Sequence, residues 1–225
     1  MITMQMNSYY TNISQKSYDA YVKDRRDLDQ VLCALIVDPD EAADAAKEYG
    51  LELPHSLDAF QSYSLKLVEM MKQTLAQWAM TMDRADQALG TLAAWSRRFG
   101  AWGSCAVARS VLSYVPSKEK RPLRAIELTE SWVIGAPDAA SVRKASLDSY
   151  DAASSYGVYG RVNYACLTAC QAADVSYSDD AALSANRTAR YAVSAILAAG
   201  DGKSRLEELS RHREVVANAC LTFPG

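Results

Sequence analysis

Arg109, Arg121 and Glu127 are the side chains of this sequence whose types and spacing best suit the handling of charge. Arg121 and Glu127 fall about two turns apart at the start of one predicted helix, so they do not face each other and each needs a partner on another helix or another molecule. Arg109, on the preceding helix, is the candidate partner for Glu127. The trio reads either as an interhelical ion pair fixing a corner or as a ligand site. A helical enzyme whose site is assembled from Arg109, Arg121, Glu127 and tyrosines is a third reading.

Lys118, Lys120 and Arg124 lie beside Arg121, and together with Arg97 and Arg98 they would make a positive face suited to an acidic protein partner. The aromatic supply points the same way: 13 Tyr and 4 Trp stand against 3 Phe. Such rings supply contact area at low entropic cost and keep a polar tip, as binding surfaces need. Tyr150, Tyr156, Tyr159 and Tyr164 gather around one link, where a half-buried core is the competing reading. The candidate binding residues are Arg109, Lys120, Arg121, Arg124, Glu127, Tyr150, Tyr156 and Tyr159.

Other chemistries find less support. Cys166 and Cys170 are four apart on one helix face, as a metal or redox pair would be, yet His55 and His212 make no ligand spacing with them. The five cysteines are odd in number and embedded beside Ala and Leu, which suits buried free thiols. Asp38, Asp40, Glu41 and Asp44, like Asp179 and Asp180, stand at helix starts, where capping and the helix dipole explain them. His212, between Arg211 and Arg213, reads as solvated. No serine elbow, phosphate loop or His–Glu metal helix is present, so no catalytic residue, metal or cofactor is assigned and a non-enzyme is expected.

The elements that must position these residues are helices. The excess of Ala over β-branched residues, with 10 Gly and 6 Pro in 225 residues, favours helix nearly throughout. Residues 105–134 predict two amphipathic helices joined by the turn Lys118-Glu119-Lys120-Arg121-Pro122. Pro122 suits a first helical turn, so Lys120 and Arg121 are held at a fixed helix entrance. Upstream, helices are expected over about 18–37, from Asp38-Pro39 to Gly50, over 56–82 and over 84–99, with Gly100 and Gly103 loosening the next junction.

Downstream, a helix over 139–154 should bury Val142, Ala145, Leu147, Tyr150 and Ala153. Further helices are expected over 161–173, 179–199 and 204–221. Short connections imply antiparallel neighbours, hence an all-α multi-helix bundle or short helical array. An N-terminal arm and small helical unit over 1–54 and a main helical bundle over 55–225 are the expected domains.

A composition 49% apolar supports a sizeable core, and a net charge of −3 argues against a broad nucleic-acid-binding or anionic-membrane surface. No apolar run reaches the roughly 20 residues of a spanning helix, and the first dozen residues lack the pattern of a signal peptide. A cytoplasmic protein is expected, and homo-oligomerisation stays open.

From about Leu89 to Ile196 the sequence resembles the immunity proteins of polymorphic toxin systems, immunity protein family 5. The matching pieces are Ala94-Trp95, Cys105-Ala106 with Arg109 and Val111-Leu112, Arg121-Pro122 with Ala125-Ile126-Glu127 and Trp132, Arg143-Lys144-Ala145, and Ala-rich helices to Tyr191-Ala192. The resemblance implies an all-α protein that binds a toxin stoichiometrically rather than turning over a substrate. A shorter one joins Leu35-Ile36-Val37-Asp38-Pro39, Ala45-Ala46 and Tyr49 to Pro54 to nitrile-hydratase-like leader domains. It implies a tailoring enzyme as partner, acting on the tail from Cys220 to Gly225.

Overall fold

A computed structural model describes residues 69, 71–135, 139–201 and 204–224. The expected domain boundary near Pro54, the helices before it and the leader-like segment 35–54 lie outside those residues. The chain divides into two compact units, Met1–Thr74 with Pro224–Gly225, and Leu75–Phe223. Of the first, the described part is helical over 71–74, where Lys72 pairs with Glu69 at 3.0 Å.

The second unit is all-α among the described residues. After helical residues 75–81 come α1 (Ala85–Trp95), α2 (Arg97–Val111), a 3₁₀ turn (Leu112–Tyr114), α3 (Arg121–Val133), α4 (Ala139–Ser155), α5 (Arg161–Asp174), α6 (Ala181–Ala199), α7 (Arg205–Arg211) and α8 (Arg213–Leu221). Local chemistry sets the ends. Asp180 accepts from the Leu183 N–H at 2.8 Å to start α6, and Gly200 ends it with a left-handed φ of 79°.

Helices α1 and α2 run antiparallel, as do α4 and α5, as side-chain pairings show. Gly100 opposes Ala93 and Gly103 opposes Leu89 between α1 and α2, while Ser149 reaches the Cys166 carbonyl and Ser146 the Cys170 carbonyl between α4 and α5. Helix α5 is central, packing on α2, α3, α4 and α6. Its inward face carries Ala165, Cys166, Ala169, Cys170, Ala172 and Ala173, small side chains that let helices approach closely. Three buried hydroxyls add little polar cost: Thr129, Thr168 and Thr188 each donate to the carbonyl four residues back.

Three sequence expectations change. The helix expected over 84–99 breaks at Ser96, which is extended (φ −142°, ψ 114°) and starts α2 by accepting from the Phe99 N–H. Gly100 and Gly103 are therefore not a loose junction but buried positions inside α2, bare so that α1 can lie against them. On α4, Leu147 and Tyr150 are 56% and 53% exposed, not buried. The inward face is Val142, Ala145, Ser146, Ser149, Ala152 and Ala153, because the two serines satisfy their hydroxyls on α5 and can stay buried.

The third change is at the end of the chain, where the single helix expected over 204–221 is two, parted at His212. That histidine is buried, not solvated. Its Nδ1 lies 2.9 Å from the Glu208 carbonyl and its Nε2 3.3 Å from Ser110 Oγ, and burial holds its pKa below the usual range.

Candidate functional site

Three connections meet at one end of this helical unit. The α2–α3 corner (112–120) is tied to the connection after α6 by the Tyr114 hydroxyl, which donates to Asp201 at 2.7 Å. Burial and that carboxylate push the Tyr114 hydroxyl up to about 12, and α5 packs against the 3₁₀ turn of the corner. The α4 end is close to the start of α5, since Asn163 donates to the Ala153 carbonyl at 2.9 Å. Antiparallel packing accounts for the convergence: α2, α4 and α6 all finish where α3 and α5 begin.

Within the corner, Arg121 has a local partner. Its Nε and Nη2 donate to the two oxygens of Glu119 at 2.8 and 2.6 Å, and its backbone N–H donates to the same carboxylate at 3.1 Å. Glu119 thus neutralises one cation and satisfies a free N–H at the start of α3, where a negative charge is favoured. The Arg121 hydrogen bond is the main reason the Glu119 carboxyl sits below its ordinary range, outweighing desolvation. The expectation that Arg121 needs a partner on another helix is corrected: two residues of sequence separate the pair.

Arg109 does bridge two helices, but to Glu130 rather than to Glu127. Its Nε and Nη2 donate to the two Glu130 oxygens at 2.6 Å each. Glu130 lies one turn further along α3, and Glu127 is left exposed, its charge adding only the smallest of the influences on Arg109. The pair is open to solvent, so Arg109→Ala should lower stability by no more than about 1 kcal/mol in a urea titration.

The six-residue positive face separates into two. Arg97 and Arg98 start α2, with Arg97 reaching the Ser176 carbonyl at 3.5 Å, while Lys118 and Lys120 follow its other end. The length of α2 after Arg98, residues 99–111 and about 20 Å, lies between the groups. At the corner end, Lys118, Lys120, Arg124 and Arg161 are exposed and engage no ion pair among the described residues.

Beside these cations lies an apolar display. Leu147 and Tyr150 project from α4, and Tyr156, Val158 and Tyr159 from the link to α5, all exposed. Tyr164 leaves the expected cluster, half-buried with its ring 6.2 Å from that of Tyr191. The structure therefore gathers Lys120, Arg121, Tyr150, Tyr156 and Tyr159 at one end, with Arg124 on the first turn of α3, and puts Arg109 and Glu127 on the flank. Sequence reading missed Glu119, Glu130, Leu147 and Val158. A signal existed for Glu119, an acid just before an Arg-Pro helix start.

Other reactive groups are quiet. Cys105, Cys166, Cys170 and Cys220 are buried free thiols, and burial pushes Cys166 up to about 12 and Cys170 to about 11, away from thiolate chemistry. Cys220 and Phe223, in the tail that the leader reading would expose, are buried, and the Phe223 ring stacks on Phe99 at 3.7 Å. Among the described residues no three His, Cys, Asp or Glu side chains converge as a metal site, and no helix is long and apolar enough to cross a membrane.

Residues 100–219, just over half of the chain, match the family model described as Imm-5 like putative immunity protein. The match takes in α2 from its first turn, the corner, the tyrosine link and all but the last residues of α8. No curated protein and no solved structure matches the chain.

Proposed function

Because the chain belongs to the family of Imm-5 like putative immunity proteins, we propose that it protects a cell by binding a cognate protein toxin stoichiometrically and neutralising it without turnover. The family match carries this reading. The chemistry of the convergent end supports it: exposed amphipathic rings and solvated cations recognise a surface, whereas a catalytic group would need to be held by neighbours and shielded from water. The one guanidinium with two strong bonds at that end, Arg121, is engaged by Glu119. Buried free thiols suit a reducing compartment, so the cytoplasm is where the toxin would be met.

Co-expression tests the reading. Cells producing the toxin encoded beside this chain's gene should grow when the chain is present, and the two proteins should co-purify as a complex. Unrelieved growth arrest with folded chain in the cell would overturn it.

A further inference from the structure

Resting on that immunity reading, we propose that the convergent end is the docking surface, and that its occupant is an acidic protein surface whose apolar recess receives Tyr159. The first argument is charge. Lys118, Lys120, Arg124 and Arg161 stand exposed without ion partners among the described residues, at an end where Arg121 already neutralises Glu119. Asp151, Asp201 and, on the first turn of α7, Glu207 are exposed acids near it, fewer than the four unpaired cations, so the end is cationic relative to a chain whose net charge is −3. A local field opposite in sign to the whole molecule orients an approaching anionic partner onto this end and away from the rest.

The second argument is the backbone. Tyr159 has φ 65° and is the non-glycine residue found in the left-handed region among the described residues. For a bulky side chain that conformation is unfavourable. Burial within the chain does not offset the cost, because Tyr159 is 78% and Val158 79% exposed. Flanking Gly157, at φ 75°, and Gly160 let the link turn sharply enough to present the two side chains outward. Leu147 and Tyr150 extend the display along α4. A ring held outward in a strained backbone, at an end that also carries exposed cations, has the form of an anchor with a charged rim.

The test measures affinity of the full chain for the toxin encoded beside its gene, by calorimetry at low and high salt. Joint replacement of Lys118→Glu, Lys120→Glu and Arg161→Glu should weaken binding by at least about 100-fold and flatten its salt dependence. Tyr159→Gly keeps the left-handed backbone but removes the ring, and should cost about 30-fold, mostly through faster dissociation. Arg187→Glu, on an exposed position of α6, should stay within about 2-fold.

Wild-type affinity in both corner variants, with unchanged helicity, would overturn the surface while leaving the immunity reading intact. Failure of the wild-type chain to bind the toxin would overturn that reading itself. A loss with the charge reversals but not with Tyr159→Gly would overturn the anchoring role of the ring. Dimerisation of the free chain that Tyr159→Gly abolishes would overturn the proposal by giving the surface to a second copy.

Discussion

Gly100→Val should destabilise the helical unit by about 3 kcal/mol, read as a lower urea midpoint at unchanged slope. A Cβ built on Gly100 would stand 2.3 Å from the Ala93 Cβ and 2.4 Å from its Cα. The obstacle is backbone, so α1 must move as a whole and lose packing along its length. Gly100→Ala should also destabilise, though less, because the intrinsic helical preference of Ala over Gly returns about 1 kcal/mol. Gly103 is the internal control. Its added Cβ meets only the Leu89 Cδ2, at 2.8 Å, the far end of a side chain that can rotate, so Gly103→Ala should cost clearly less than Gly100→Ala.

Asp86→Ala is expected to cost about 3 kcal/mol, at the low end for breaking a buried ion pair. The Asp86 carboxylate is fully buried near the start of α1, receiving Arg84 Nε and Arg190 Nε at 2.9 Å each. Arg190 comes from α6, so the carboxylate ties helices more than a hundred residues apart. The low end is chosen because both arginines keep access to water once their partner is gone.

Burial alone would raise the Asp86 pKa, but hydrogen bonds from Arg84 and Arg190, with their charges, outweigh it and hold the carboxyl below the ordinary carboxylate range. A depressed carboxyl contributes stability that is fully present above its unfolded pKa and is lost as pH falls through the folded one. The wild-type unit should therefore lose this contribution below about pH 4. Asp86→Asn, which keeps the shape but cannot titrate, should narrow the stability difference between neutral and acid pH; an unchanged difference would show that Asp86 does not carry it.

The contrast between these residues shows what a sequence makes legible. Helices with strong local signals were readable: Pro122 in the first turn of α3, Asp180 capping α6, Gly200 closing it. So was the basic corner at the entrance to α3. What could not be read were faces built from small or polar residues. Helix α4 buries Ser146 and Ser149 and exposes Leu147 and Tyr150, the reverse of hydrophobic patterning, because the acceptors for those hydroxyls come from α5. The partner of Arg109 and the second partner of Asp86, Arg190, depend on packing between helices, and no local spacing announces them. Burial of His212 likewise follows from α2 supplying Ser110. The candidate residues Lys120, Arg121, Tyr150, Tyr156 and Tyr159 were named individually from sequence, but only antiparallel packing brings their two connections to one end.

The most direct measurement titrates a fixed amount of the toxin encoded beside this gene with purified chain and follows the remaining toxic activity. Stoichiometric binding predicts a linear fall that ends at one equivalent and does not deepen with time. Progressive loss of activity at a small fraction of an equivalent would contradict it and show turnover, and full toxic activity beyond one equivalent would show that the chain does not neutralise this toxin.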